Sequence, residues 1–293
     1  MHIHELTTNQ EIGEYLNELE KSGQNIIALD LEGEFNLHCY GEHLCLVQIF
    51  DGTREVIIDP IAHPELTMMN EIFTKRNLLK IMYDASSDAA LIQHLFGVRI
   101  ASILDLRPAV SLLEYSSQSL SFVLEKEFSI TPVNKKKFQQ HNWMRRPIST
   151  EAIEYAMNDV RMLFELKDRL LGKLIDKSLL DQYILQNLYV QNGEIKNMQK
   201  DKYKKAKGFN RLRTEQKKLF KALFIAREKV AKEANIPPNS VLPNKILMEF
   251  CQSRNSGASS IGSSVGKRVP VNLKNELLHD FTNILQEHFQ RSI

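Results

Sequence analysis

The sequence predicts an α/β fold, a mixed sheet flanked by helices, followed by a small all-α domain. Short apolar runs typical of strands alternate with helical periodicity as far as residue 175, whereas only helical patterns follow residue 208. Residues 1–184 hold 18 Lys and Arg against 27 Asp and Glu, a net charge of −9, and residues 185–293 hold 20 against 9, a net charge of +11. We therefore expect two units. The basic one is a candidate for binding a polyanion, and a solvated lysine-rich surface is the alternative.

The first unit is predicted to begin with a helix and a meander of strands. Thr8 and Glu11 have the spacing of a capping box, which starts a helix over about residues 9–21. Strands are expected where short apolar runs are bounded by turn residues, at 25–32, 43–51, 54–60, 78–84 and 101–106. Helices are expected where apolar residues recur at helical spacing, near 65–75, from 86 to 97 with Ser86 or Ser87 as the cap, near 107–116 and 118–128, and as one long helix from about 150 to 175.

A polar, lysine-rich stretch separates the two units. It ends in KDKYKKAKGFN, a composition that is typical of a linker. We place the first domain at residues 1–178, a helical and basic linker at 179–208, and the helical domain at 209–293. Helices of this last domain are expected at about 213–236, 243–253 and 271–289.

Cysteine usage and hydropathy indicate the compartment. Cys39, Cys45 and Cys251 form no CxxC or CxxH pattern, which argues against a disulfide framework and against a zinc site. The polar, acidic start is unlike a signal peptide, and no apolar run approaches the ~18 residues that span a bilayer. We expect a cytoplasmic protein without a membrane partner.

The first strand carries an unusual set of acidic residues. In NIIALDLEGEF, residues 25–35, the carboxylates Asp30, Glu32 and Glu34 are two residues apart and share one face of an otherwise apolar strand. Burying like charges so close together costs roughly several kcal/mol per ion. A pattern that costs this much without a partner indicates a ligand of opposite charge.

Three further residues belong with this strand. Asp88 lies in the first turn of a predicted helix, where the helix dipole alone could explain it. Tyr155 and Asp159 are four apart on the long helix, so they share a face, and Asp159 could simply be the hydrogen-bond partner of a core tyrosine.

Taken together, these residues fit the chemistry of phosphoryl transfer better than they fit separate structural roles. Hard divalent cations bind oxygen ligands, and two such ions about 3.5–4 Å apart can hold the attacking and leaving oxygens. We predict two ions, Mg²⁺ or Mn²⁺, held by Asp30, Glu32, Asp88 and Asp159. Tyr155, one turn before Asp159, would orient the attacking water.

The three motifs in this order resemble the DEDD superfamily of 3′–5′ exonucleases in its tyrosine subtype, and within it the ribonuclease D family. The similarity covers roughly residues 5–175 and rests on DLE, on YDASSDAALIQHLFG and on EYAMNDVRMLFEL. It implies a ribonuclease H-like sheet. In the second unit, ARE-x-VA-x-E-x-x-IPPN-x-VL resembles the HRDC domain, which in the family helps to bind nucleic acid.

The sequence departs from the family pattern at three points. Tyr83 stands where the family often has His, which puts a local substrate contact in doubt. Glu34 is an additional carboxylate, interpreted as flanking the metal site without ligating it. A single HRDC-like domain is visible, where some relatives carry two.

The resemblance implies a metal-dependent 3′–5′ exoribonuclease that releases 5′ nucleotides. The expected partner is RNA with a single-stranded 3′ end, as in the maturation of tRNA precursors, and a monomer is favoured although the oligomeric state stays open. Alternatives are a DNA exonuclease with the same chemistry and a non-catalytic nucleic-acid-binding protein. The candidate phosphate contacts are basic side chains, for which a solvated surface is the other interpretation: Lys135, Lys136, Lys137, Arg145, Arg146, Lys204 and Lys205.

Overall fold

A computed structural model describes residues 3–130, 138, 140–192, 201–252 and 262–290. The chain divides into two compact units. The first comprises Met1–Gly33 and His43–Lys196, and the second comprises Glu34–Glu42 and Asn197–Ile293. The predicted contacts Lys135, Lys136 and Lys137 lie outside the described residues.

The first unit contains a six-stranded mixed sheet in the order β1-β4-β3-β2-β5-β6. Its strands are β1 (Ile3–Glu5), β2 (Ile26–Phe35), β3 (Glu42–Phe50), β4 (Glu55–Ile58), β5 (Leu79–Met82) and β6 (Ile103–Asp105). Its helices are α1 (Asn9–Lys21), α2 (Met69–Thr74), α3 (Ser86–Phe96), α4 (Arg107–Leu112), α5 (Leu120–Phe128), α6 (Thr150–Arg161), α7 (Leu163–Asp176) and α8 (Leu180–Asn192). Strand β2 runs parallel to β5, β5 runs parallel to β6, and β3 is antiparallel to β4. The α/β class with helices around a mixed sheet is therefore confirmed.

Alternation along β2 assigns its side chains to two different cores. Ile27 and Leu29 pack into the cluster formed with α1, α2 and α3. Ala28 packs into the cluster on the other side, which contains residues of α4 to α8. Because residues two apart share a face, Asp30 and Glu32 continue the Ala28 side, where α6 also lies.

Most predicted elements of this unit are present, with two differences, at the long helix and at β1. The capping box of Thr8 and Glu11 begins α1 as predicted. The prediction of one long helix from about 150 to 175 was wrong. Helix α6 ends at Arg161, Met162 caps it, and α7 begins at Leu163. Strand β1 was missed, since its three residues are too few to show a period, and it pairs in parallel with β4. Helix α8 lies within residues 179–208, the stretch predicted as a helical and basic linker.

The second unit is helical. It contains two 3₁₀ turns (Lys202–Lys205 and Phe209–Arg211), α9 (Thr214–Glu233), α10 (Pro238–Val241), α11 (Asn244–Gln252) and α12 (Val271–Gln290). Helix α9 supplies buried Phe220 and Leu223 to a core that also contains Leu247 of α11 and Phe281 of α12. No helix in the described part of the chain combines the length and the apolar composition that crossing a bilayer requires.

Candidate metal centre

Three carboxylates converge at the middle of β2. Asp30 and Glu32 come from β2, and Asp159 comes from α6. One carboxylate oxygen of each lies within 4.8 Å of one oxygen of the other two, and all three side chains are partly exposed. The strand period brings two of the ligands to one face, and the helix on that face supplies the third.

The electrostatics of this group are those of unbalanced negative charge. Burial raises the pKa of Asp30 well above its usual value, and the charges of Asp88, Asp159 and Glu32 raise it further. Burial also raises the pKa of Glu32, followed by the charges of Asp159 and Asp88. Each carboxylate therefore disfavours ionisation of its neighbours, which a bound cation would reverse.

Asp88 lies beside this group of three. It is in the first turn of α3, and burial, with the charges of Asp84 and Asp105, raises its pKa to about 8. Ser86 and Ser87 do not cap α3, because Ala85 is the residue at its N-cap and makes no side-chain hydrogen bond. The entry to α3 is held instead by Asp105, whose carboxylate accepts hydrogen bonds from the backbone N–H groups of Asp84 and Ala85.

The donor set fits divalent metal ions. Carboxylate oxygens are the ligands that Mg²⁺ and Mn²⁺ prefer, and Asp30, Glu32 and Asp159 offer three of them within 4.8 Å of one another. Asp88, from α3, is near enough for its charge to raise the pKa of Asp30 and Glu32. Their mutual repulsion has a physical explanation if cations occupy the space between them.

Tyr155 faces the same carboxylates from α6. Burial raises the pKa of its hydroxyl, and Asp159, Glu32 and Asp30 raise it further, so the hydroxyl stays protonated at neutral pH. Its ring stacks on Phe138 with a centroid separation of 4.7 Å. A protonated, packed tyrosine can hold a fixed hydrogen bond near the carboxylates.

Glu34 has a local structural role. Its carboxylate accepts hydrogen bonds from the N–H groups of Leu37 and His38, and it contacts His38 Nδ1 at 3.0 Å. These contacts close the loop that follows β2. The interpretation of Glu34 as a flanking residue agrees with this geometry.

The described basic candidates differ in what they contact. The Arg146 guanidinium donates to the carbonyls of Trp143 and Cys45 and pairs with Asp59 at 2.5 Å. Those contacts favour a structural role for Arg146 over phosphate binding. Arg145 is exposed.

Lys204 and Lys205 are exposed in the second unit, where Lys204 pairs with Asp201 at 2.6 Å. Tyr83, at the position where the sequence departs from the family, donates its hydroxyl to the Gln118 carbonyl at 2.7 Å.

Two supporting residues were missed from the sequence. Asp105 anchors the loop before α3, and Arg161 binds Glu55 through two hydrogen bonds of 2.7 and 2.9 Å, which fastens the end of α6 to β4. The position of Asp105 at a strand end beside the strand that precedes Asp88 was an available signal. The pairing of Arg161 with Glu55, 106 residues away, left no local signal.

A mixed sheet whose central strand carries two carboxylates, facing a helix with a Tyr-x-x-x-Asp pair, defines the class of acidic, metal-binding phosphodiesterase sites. The model of a 3′-5′ exonuclease family matches residues 3–175, and that of the HRDC domain matches residues 216–262. The chain belongs to this 3′-5′ exonuclease family and carries an HRDC domain in its second unit.

Individual proteins show the same similarity. The chain is 27% identical over 263 residues to Ribonuclease D of Desulfotalea psychrophila, covering 85% of this chain and 66% of that relative. The catalytic core of RRP6 from Trypanosoma brucei superposes with a TM-score of 0.78 at 23% identity, covering 100% of this chain and 81% of that one. Escherichia coli RNase D gives 0.73 at 19% identity, covering 99% and 76%. These two structures share the fold.

Proposed function

We propose that the chain is a 3′–5′ exoribonuclease that removes nucleotides from the 3′ end of RNA and releases them as 5′ nucleotides. Two divalent metal ions, Mg²⁺ or Mn²⁺, would be held by Asp30, Glu32, Asp88 and Asp159. The observation that carries the proposal is the convergence of Asp30, Glu32 and Asp159 within 4.8 Å of one another, with Asp88 close enough to raise the pKa of Asp30 and Glu32.

The reaction is hydrolysis of the last phosphodiester bond. A bond forms between the water oxygen and phosphorus, and the bond from phosphorus to the 3′ oxygen breaks. A proton that the water gives up is balanced by the one that the 3′ oxygen gains, so the shortened RNA ends in a 3′ hydroxyl and the nucleotide leaves with a 5′ phosphate. When bound, the ions would stabilise the negative charge that develops on the attacking and leaving oxygens. The Tyr155 hydroxyl, kept protonated by burial beside the carboxylates, holds the water in line.

The proposed substrate is RNA with a single-stranded 3′ end. Ribonuclease D of Desulfotalea psychrophila is one relative, aligning with 85% of this chain, and the structurally similar E. coli protein is described as an exoribonuclease involved in structured RNA processing. We extend this substrate class, including tRNA precursors, to the present chain. Exposed Arg145, Lys204 and Lys205 are the described candidates for phosphate contacts, which would make binding weaken steeply with salt. Cytoplasmic location and the monomeric state stay predictions.

The test compares RNA and DNA of identical sequence, each labelled at the 5′ end, with Mg²⁺, with Mn²⁺ or with a chelator. Wild type is compared with Asp30→Asn and with Asp168→Asn, a control that removes an exposed carboxylate of α7. We expect a ladder that shortens from the 3′ end of RNA, that requires metal, and that Asp30→Asn abolishes while Asp168→Asn leaves it intact.

Other outcomes would replace the proposal. Faster shortening of DNA than of RNA would make the chain a DNA exonuclease with the same chemistry. Binding of both polymers with no cleavage of either would leave a non-catalytic nucleic-acid-binding protein with an inherited metal site. Equal activity of wild type and Asp30→Asn would place the chemistry outside this cluster.

A further inference from the structure

Asp105 is a buried carboxylate that connects the sheet to the loop before Asp88. It ends β6, and the residue is 3% exposed. Oδ1 accepts hydrogen bonds from the N–H groups of Asp84 at 2.8 Å and Arg107 at 2.9 Å, and Oδ2 accepts one from the N–H of Ala85 at 3.0 Å. Both oxygens are therefore used as acceptors by backbone groups.

The residues that Asp105 holds lead directly into α3. Asp84 has a φ of 60°, in the left-handed region, so this turn depends on a contact that fixes it. Ala85 is the N-cap of α3 and has no side chain with which to cap the helix. Asp88 is the third residue of α3, so the direction in which its carboxylate points depends on how Asp105 holds the turn.

Helix α8 holds Asp105 in turn. β6 is an edge strand of the sheet, so the backbone groups on its outer side need partners other than a strand. Asn187 Oδ1 accepts from the Asp105 N–H at 2.7 Å, and the Tyr183 hydroxyl donates to the Asp105 carbonyl at 2.9 Å. Gln191 repeats the arrangement one turn later, accepting from the Ile103 N–H at 2.9 Å.

The spacing of these three side chains is that of a single helix face. Tyr183, Asn187 and Gln191 are four residues apart, so they form a stripe along α8 that faces the edge of the sheet. The stripe supplies the hydrogen bonds that a seventh strand would supply. Helix α8 begins after residue 175, where the match to the exonuclease family ends.

We propose that Asp105, held by Tyr183 and Asn187, is a positioning residue for Asp88, and that α8 is in this way part of the nuclease machinery. The proposal rests on the proposed function, because Asp88 is taken as a metal ligand. Residues that orient a ligand without touching the metal typically change its affinity about 10–100-fold when they are substituted. Asp105 reaches Asp88 through the backbone of the turn.

The matched control is Asp51. It is 4% exposed, and its Oδ1 accepts hydrogen bonds from the N–H groups of Thr53 and Arg54, as Asp105 does from its own turn. It follows β3 at the opposite end of the sheet, where its carbonyl contacts the Gln24 side chain ahead of β2. Its Oδ2 also pairs with Arg54 Nε at 2.8 Å, so Asp51→Asn should destabilise the fold without touching the Asp88 turn.

The experiment measures Mn²⁺ binding by electron paramagnetic resonance, metal-dependent cleavage of RNA, and amide hydrogen exchange, all on the full chain. In Asp105→Asn, we expect the half-saturating metal concentration to rise about 10–100-fold, with most of kcat recovered at saturating metal. We expect the amides of residues 84–88 to exchange at least about tenfold faster. Asn187→Ala should raise the half-saturating metal concentration and the exchange rates of these amides by smaller factors than Asp105→Asn does. Asp51→Asn should change neither the metal concentration nor the exchange rates.

Each result decides one of the two proposals. Unchanged exchange at residues 84–88 in a folded Asp105→Asn chain would overturn the positioning role, whatever the activity. Equal metal dependence of Asp105→Asn and Asp51→Asn would overturn it too, since both would then be general structural effects. A wild-type chain that shortens no RNA at any metal concentration would overturn the proposed function, and the exchange measurement would still decide the role of Asp105.

Discussion

The two units of the chain accommodate buried charge in opposite ways. In the first unit, the half-buried carboxylates of Asp30, Glu32 and Asp159 are brought together, and the charge of Asp159 raises the pKa of Asp30 and of Glu32. In the second unit, Arg227 is 2% exposed, and its guanidinium donates to the Leu242 carbonyl at 2.9 Å, to Asn244 and to Glu228.

The difference separates a group of like charges from a charge that is held by partners of opposite polarity. Burial lowers the pKa of Arg227, but Glu228 opposes that effect and the guanidinium lies over the Phe224 ring at 4.6 Å. A buried charge with its partners in place stabilises a local arrangement. A group of like charges is a cost to the fold, and such a cost persists where function requires it.

Substitution at the carboxylate group should give the largest effect and should separate activity from stability. In Asp159→Asn, cleavage of RNA should fall on the order of 10³-fold, as for loss of other groups that act on developing charge. The unfolding free energy in chelator should rise by about 1 kcal/mol, because repulsion on Asp30 and Glu32 is relieved. Cleavage assays and urea denaturation with chelator check both; a less stable, inactive variant would contradict the repulsion argument.

Removing the balanced charge should have the reverse effect on stability. Arg227→Met leaves the Leu242 carbonyl and Asn244 without their buried donor, so we expect the unfolding free energy to fall by about 2–4 kcal/mol. Lys232→Met, at an exposed position of the same helix, is the control and should change it by less than about 0.5 kcal/mol. Urea denaturation of the full chain measures the unfolding free energy of each variant. Equal stability of Arg227→Met and Lys232→Met would show that the partners of Arg227 do not stabilise the second unit.

The pH dependence of metal binding sharpens the comparison. The raised pKa values of Asp30 and Glu32, and that of about 8 for Asp88, mean that the folded chain without metal binds more protons than the unfolded chain. The stability that this protonation contributes is lost as the pH rises through those values. Metal must displace the protons, so the half-saturating Mg²⁺ concentration should fall about tenfold per pH unit from 6 to 8 for each proton released.

Titration calorimetry in buffers of different ionisation enthalpy would count those protons directly. A half-saturating Mg²⁺ concentration that is the same at pH 6 and pH 8 would show that the carboxylates are already ionised without metal. The wild type and the Asp168→Asn control should respond alike.

Local rules predicted the parts of the site that lie within one element. The strand period alone placed Asp30 and Glu32 on one face, and helical spacing placed Tyr155 with Asp159. Asp88 was added because four carboxylates suit a two-metal site, and the family resemblance then supported the set. Contacts between distant elements were not predictable in this way. The bond between Asp105 and Asn187 joins residues 82 apart, and α8 was assigned to a linker because its polar stripe has meaning only beside an edge strand.

The burial of Lys80 could not be predicted from local sequence patterns either. Its strand, LLKIMYD, was correctly predicted, but a strand pattern does not say that the lysine would be 0% exposed. Its Nζ donates to the carbonyls of Lys75 and Ala101, at 2.6 and 3.0 Å. The Lys80 ammonium is held by carbonyl dipoles and not by a carboxylate. It is therefore intermediate between the group of like charges in the first unit and the paired charge of Arg227 in the second.

The smallest expected effect is the pH dependence that Lys80 gives to stability. Burial, and then the charge of Lys75, lowers the pKa of Lys80 from 10.5 to about 7. Between those values the unfolded chain binds the additional proton, so the contribution of Lys80 to stability improves as the pH rises. Lys80→Met should therefore be more stable than wild type at pH 6.5, and the difference should shrink by at least about 1 kcal/mol by pH 9.5.

Urea denaturation of wild type and Lys80→Met between pH 6.5 and 9.5 measures the difference in their unfolding free energies. The contributions of other titrating groups are the same in both proteins and cancel in this difference. Lys75→Met is the control for the neighbouring charge, since it should raise the pKa of Lys80 and narrow the window. A difference between Lys80→Met and wild type that does not vary with pH would mean that the two carbonyls balance the buried ammonium. Lys80 would then belong with Arg227, as a buried charge held by polar partners on its terminal nitrogens.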